Sequence, residues 1–287
     1  MRADYSKESV YLPIRSFGDF IITTTILKIN GLSNIPIILP DYFVDLFNSI
    51  NGSDYYNIID TISLSNQPAI FELYKVRDKE NIARLISDMK ILKDTLKPSV
   101  NYLLDYRSRR IFFLNLNFSW PNPNENIYNG KAKMLEIYCS SENLIAFPPI
   151  AKPVGKPVNI LIFPESRVKD KEIAEQVIQS IVEKFDNKIT IARFSKQELA
   201  PNTVSYSSFA QLIDLIRLAD LVISSESLPY HLANFYEKPH FVIYKKSKHF
   251  KEYFMTHYMK ANRCFSTIDN TGYLNVLSDL EGALNGI

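Results

Sequence analysis

Glycine is scarce in this chain, 8 residues in 287, and tryptophan occurs once. With so few glycines the protein cannot rely on glycine-rich phosphate loops, so any ligand loop has to be made from other residues. Cysteine occurs twice, as Cys139 and Cys264, far apart and in no metal-ligand spacing. That argues against a zinc site or a disulfide framework and makes a reducing compartment the default; both read as small buried hydrophobes. An excess of charge is missing too: Lys+Arg number 33 against Asp+Glu 31, a formal net charge of +2. There is no global field of the kind that draws a protein to nucleic acid, so any basic site must be local. No window approaches ~18 uninterrupted apolar residues, and the first apolar run is too short for a signal peptide. The expected location is the cytoplasm, or a membrane periphery.

What is present is a large apolar and aromatic content, 46% hydrophobic with 18 Phe and 17 Tyr. It is enough for one large core or two medium ones, and the length favours two domains. Short β-branched and aromatic runs alternate with segments of helical period, which predicts α/β units around mostly parallel sheets. In the first half strands are expected at 10–14, 36–39, 57–62, 69–73 and 102–105, and helices at 19–30, 41–50, 79–95 and 131–138. A Pro/Asn-rich loop, "SWPNPNENIYNG", precedes the last of these. The proline-rich stretch "AFPPIAKPVGKPV", 146–158, is the best linker candidate. Beyond it strands are expected at 158–164, 188–194, 220–225 and 240–244, and helices at 171–185, 207–218, from about 229, and 273–284. The fold expectation is therefore two Rossmann-like doubly wound α/β domains, 1–150 and 151–287, whose strand carboxyl ends face a cleft where a ligand binds.

Three loops at strand ends carry the chemistry. In "PIRSFGDFIITTTILK" a strand ends at Ile14, Gly18 allows close approach of a ligand, and Asp19 begins a helix. Asp19 reads either as a helix N-cap or as a carboxylate that takes a proton from a substrate hydroxyl. Arg15 reads equally as a surface ion-pair residue or as a holder of an anionic acceptor. In "ILIFPESRVKDKEIAEQVI" a buried strand runs into Ser166, Arg167, Lys169 and Lys171, followed by a helix. Cations at a helix N-terminus oppose the macrodipole; a bound anion resolves that conflict, and plain solvated loop charges are the alternative. In "SSESLPYHLANFYEKP" Pro229 is expected at the first helical position, leaving the N–H groups of Ser227 and Leu228 to seat a diphosphate. Glu226 is placed to hold sugar hydroxyls. His231 either pins this loop, donates to the ligand, or is a satisfied structural histidine.

Together these loops resemble the bacterial ADP-heptose:lipopolysaccharide heptosyltransferase family, glycosyltransferases of GT-B fold. "SFGDFIITTTILK" is similar to the family's Gly-Asp loop and the Thr-Thr-Pro-Leu-Leu helix after it. "SESLPYHLANFYEKP" matches its late signature at Ser227, Pro229, His231, Leu232, Ala233, Lys238 and Pro239. "YLLDYRSRRIFFL", "FPESRVKDK" and "SYSSFAQLIDLIRLADLVISS" echo three further family segments in the right order. Glu226 stands where the family has Asp and Leu228 where it has Gly, changes that reshape a donor pocket. The resemblance implies an inverting glycosyltransferase that needs no metal and no cofactor beyond a nucleotide-diphosphate sugar donor. Asp19 is then the base. Ser166, Lys169, Lys171, Glu198, Glu226, Ser227, Leu228 and His231 bind the donor, and Arg15, Gly18, Arg107 and Arg110 the acceptor. No Asp-x-Asp tripeptide occurs, which fits a leaving group neutralised by lysine and helix amides. The implied acceptor is a cell-surface glycan or glycolipid such as lipopolysaccharide core or capsule, at the inner face of the cytoplasmic membrane. "YKKSKHFKEY", 244–253, mixes cations and aromatics and reads as a lipid contact or a solvated loop. A non-catalytic sugar-nucleotide or partner-binding homologue and a sugar-nucleotide epimerase are the alternatives.

Overall fold

A computed structural model describes residues 9–14, 16–65, 79–106, 114–135, 159–166, 169–185, 188–195, 201–244, 264–268 and 273–286. The chain divides into two compact units, Met1–Ser140 and Ser141–Ile287. That division and the expected one at 150/151 both fall in 136–158, outside the described residues, as does the linker candidate.

The first unit runs β1 (Ser9–Leu12), α1 (Phe17–Ile29), β2 (Ile35–Pro40), α2 (Val44–Ser49), β3 (Tyr56–Ile62), α3 (Lys79–Thr95), β4 (Asn101–Leu104), β5 (Asn117–Ser119) and α4 (Ile127–Met134). Its five strands pair in parallel in the order β3-β2-β1-β4-β5. Alternation along β1 sends Val10 and Leu12 to one face, where they pack with Ile38, Tyr102, Leu92 and Leu96. Tyr11, between them, stacks with Phe20 and Tyr56 instead. Helix α1 is buried continuously from Asp19 to Leu27. It tolerates three threonines there because each hydroxyl bonds back to the carbonyl four residues earlier.

The second unit runs β6 (Asn159–Phe163), α5 (Glu175–Lys184), β7 (Lys188–Phe194), β8 (Thr203–Tyr206), α6 (Phe209–Leu218), β9 (Leu221–Ser225), α7 (Leu228–Phe235), β10 (His240–Tyr244), β11 (Cys264–Ile268) and α8 (Tyr273–Gly286). Six parallel strands lie in the order β11-β10-β9-β6-β7-β8. Ile160, Ile162, Leu221, Ile223, Phe241 and Ile243 form one apolar face under Ile178 and Ile181 of α5 and Leu280 of α8.

Most expected elements are found within a few residues, and two helices differ for physical reasons. The helix expected at 131–138 is α4, which starts earlier. Asn126 caps it by accepting from the Tyr128 N–H, and Gly130 sits inside because a Cβ there would come within 3.1 Å of Pro121. The helix expected at 171–185 begins only at Glu175; Lys169–Lys171 form a separate 3-10 turn. The strands β5, β8 and β11 lie outside every expected range. The strand expected at 69–73 lies outside the described residues.

Candidate functional site

Both sheets contain a point where the chain reverses its direction of progress across the strands, and in open α/β sheets ligands bind beyond the strand carboxyl ends at such a point. In the first unit it lies between β1 and β4, because β2 and β3 are added on one side of β1 and β4 on the other. In the second it lies between β6 and β9 by the same logic. The loops leaving these four strands hold Asp19, Asp105, the 164–171 segment and Glu226.

At the first point, Ser16 rather than Asp19 is the N-cap of α1, and Asp19 is the third helical residue. The Asp19 N–H donates to Ser16 Oγ (3.2 Å), whose hydroxyl donates to Asp19 Oδ2 (2.6 Å). This reciprocal cap is available only because a serine precedes the acid by three positions. Asp19 is buried, 7% exposed, so little water competes for its carboxylate. Beneath it lies a network absent from the expectations. Lys131 of α4 donates to the Asp19 main-chain carbonyl (2.6 Å), to Thr23 Oγ1 (2.9 Å) and to Asp105 Oδ1 (2.5 Å). Tyr11 donates to the same Asp105 oxygen (2.7 Å). Burial pushes the Asp105 carboxyl up; the Lys131 ammonium pulls it back and the Asp19 charge pushes it further up. Desolvation raises the Tyr11 phenol well above its ordinary value. Gly18 is half-buried in the first turn of α1, while Arg15, Arg107 and Arg110 lie outside the described residues.

At the second point, Lys171 pairs with Glu226 Oε2, and His231 Nε2 lies 3.3 Å from Glu226 Oε1. The sequence assigned Lys171 to a diphosphate and Glu226 to a sugar; here they meet each other. Lys169 and Lys171, expected at a helix N-terminus, do not stand there, because Ala174 is the N-cap of α5, three residues beyond Lys171; Arg167 lies outside the described residues. Closure of the loop by the Ile173 N–H on the Pro164 carbonyl (2.9 Å) turns Lys171 back toward β9 instead. Lys169 is exposed and Ser166 half-buried. Helix α7 begins at Leu228, so Pro229 is its second residue and not its first, and His231 its fourth. The His231 N–H accordingly makes an intrahelical bond to the Ser227 carbonyl (3.4 Å). The Ser227 hydroxyl donates to the Ser225 carbonyl (3.2 Å). Behind this turn the hydroxyls of Ser224 and Ser225, which end β9, are buried without a hydrogen-bond partner. Glu198 and 245–253 lie outside the described residues. A separate concavity of ≈ 520 Å³, lined by Asn101, Asn117, Phe118 and Trp120 among others, runs along the edge strand β5 and contains none of these groups.

Behind His231, the Tyr230 ring lies 5.2 Å from that of His240, whose Nδ1–H donates to the Lys238 carbonyl (2.8 Å). Desolvation lowers His240 to about 4; the Lys238 carbonyl opposes that shift and His231 adds to it. Its folded value lies below its unfolded one, so the unfolded chain binds the extra proton between about pH 6.5 and 4. The stability from a neutral His240 is complete above that window and lost as pH falls through it, on the order of 3 kcal/mol. Urea unfolding of wild type and His240→Phe at pH 7.5 and 4.5 should show a smaller loss in the variant; equal losses would remove His240 from the acid response.

No protein-family model and no curated protein sequence matches the chain. The solved structures that match define its class of fold, two Rossmann-like units in series as in GT-B glycosyltransferases. Among them is the Escherichia coli heptosyltransferase WaaC with ADP-2-deoxy-2-fluoro heptose, at TM-score 0.58 and 10% identity, covering 96% of this chain and 99% of that one. A family 9 glycosyl transferase from Veillonella parvula matches at TM-score 0.59 and 13% identity, over 93% and 87%. E. coli ADP-heptose lps heptosyltransferase II matches at TM-score 0.53 and 9% identity, over 97% and 98%.

Among the described residues no helix is long and apolar enough to cross a membrane. The signals for Asp105 and Lys131 differ. Asp105 directly follows an apolar strand, a position that can be noticed. Lys131 sits in a polar helix and reads as a surface residue; nothing local marks it.

Proposed function

We propose that the protein is an inverting glycosyltransferase that moves a sugar from a nucleotide-diphosphate donor to a cell-surface glycan, without a metal. The observation that carries this reading is the Lys171, Glu226 and His231 cluster at the strand-order reversal of the second sheet, in a chain whose fold along nearly its whole length is that of sugar-nucleotide enzymes. The acceptor hydroxyl attacks the anomeric carbon and gives its proton to Asp19. The bond from that carbon to the diphosphate oxygen breaks, and the electron pair leaves with the diphosphate. Lys171 and the amino end of α7 stabilise the charge that develops there. Glu226 acts as the resting counter-ion of Lys171 and turns to sugar hydroxyls once phosphate takes its place. Ser166 and Lys169 on one loop, and Ser227 and Leu228 on the other, complete the donor side. His231 holds Glu226. Gly18, Arg15, Arg107 and Arg110 serve the acceptor, and Glu198 the nucleotide ribose. The donor is ADP-heptose or another nucleotide sugar and the acceptor a lipopolysaccharide core or capsule glycan, met at the inner face of the cytoplasmic membrane.

Thermal-shift measurements with ADP-heptose and with UDP-, GDP- and dTDP-sugars test the reading first. One nucleotide class should raise the melting temperature with concentration, as binding to the folded state alone requires. Turnover follows as release of free nucleotide in the presence of core oligosaccharide. A shift without turnover on any acceptor would establish a non-catalytic sugar-nucleotide binder instead, and no shift with any of them would remove the donor site.

A further inference from the structure

The charged pair under Asp19 is the part of the first unit that stability alone least explains. Lys131 and Asp105 are both wholly buried. Apolar residues of similar volume commonly leave such a position as stable or more so, and a buried ion pair is therefore weak ground for a stabilising role. The Oδ2 atom of Asp105 is also buried with no hydrogen-bond partner, an expense that an optimised structural pair avoids. What the pair does that apolar residues cannot is hold a main chain. Lys131 has three N–H donors and engages all three, one of them on the carbonyl of Asp19 itself. Asp105 in turn fixes the ammonium by accepting from Lys131 and Tyr11, which come from α4 and β1.

We propose that Lys131 and Asp105 form a buried positioning pair that locks the first turn of α1 and so holds the Asp19 carboxylate in the geometry needed for proton transfer. The inference rests on the reading of Asp19 as the general base. Two clamps act on the residue. Ser16 holds the side chain at Oδ2 and Lys131 holds the main chain, leaving little freedom at the end of a helix where fraying is the rule. Removing Lys131 releases the second clamp and leaves the Asp105 charge buried without its cation.

The test is a kinetic cycle on the full chain, with the nucleotide sugar from the panel above that wild type turns over fastest. Thr23→Val, nearly isosteric, removes one partner of the ammonium and should lower kcat with donor KM unchanged. Lys131→Met should lower kcat about 10- to 100-fold, the size expected for a small misplacement of a reacting group. Lys131→Met with Asp105→Leu removes both buried charges, and should recover melting temperature without recovering kcat. In an Asp19→Asn background, Lys131→Met should cost nothing further. Wild-type kcat in a stable double apolar variant, or in Thr23→Val, overturns the inference, and so does an additive loss on top of Asp19→Asn. Retention of transfer by Asp19→Asn alone is a different failure. It removes the base, and with it the reading on which this inference stands.

Discussion

Asp19→Asn should lower transfer about 10²- to 10⁴-fold while leaving nucleotide-sugar binding unchanged. That range is typical for loss of a positioned general base. The substitution keeps volume and the amide still accepts from Ser16, so the capped first turn of α1 survives. What disappears is the capacity to take a proton. Asp19 is only 7% exposed, and a carboxylate shielded from water is a group whose role depends on a substrate hydroxyl reaching it directly. Single-turnover transfer with saturating donor, together with the thermal shift of the same variant, separates the two quantities. Equal losses of binding and turnover, or no loss of turnover, would show that Asp19 serves the fold and not the chemistry.

Lys171→Met should weaken nucleotide-diphosphate binding and lower turnover about 10²- to 10³-fold, the scale found when a preorganised donor to a developing anion is removed. The opposite partner makes the prediction sharper. Glu226→Gln takes away the counter-ion of Lys171 and leaves the ammonium to a phosphate ligand, so affinity for the free nucleotide diphosphate should rise while transfer falls. Titration calorimetry on both variants reads the two signs. A structural ion pair predicts otherwise: both substitutions would cost melting temperature, and neither would move nucleotide affinity in opposite directions. His231 lies 3.3 Å from the same carboxylate, so His231→Gln should give a smaller change with the sign of the glutamate variant.

Much of the fold was readable along the chain. The strands at 188–194 and 240–244 and the start and end of the 79–95 helix coincide with the expected limits, because β10 is a fully buried apolar run, β7 is a β-branched segment between turn-forming flanks, and α3 keeps helical period throughout. Where expectation and structure part, a non-local contact decides. Helix α4 begins among Pro and Asn residues because Asn126 caps it, and Gly130 lets its first turns lie against Pro121. Helix α5 begins late because the Ile173 N–H is engaged by the carbonyl of Pro164, about 30 Å of extended chain earlier. Strand β8 has no strong apolar signal: it lies at the sheet edge and only half of its surface needs covering.

The sequence by itself determined the α/β character, the two successive units, and the three loops that carry acids, cations and a histidine, since those follow from the period of apolar residues and from residue type at strand ends. Only the tertiary structure decided which of these groups meet. Lys171 and Glu226 are 55 residues apart and Asp105 and Lys131 are 26; strand order makes the first pair and the packing of α4 on α1 the second, and local sequence encodes neither. Burial is likewise collective: a lysine in a polar helix becomes wholly enclosed only because α4 packs on α1.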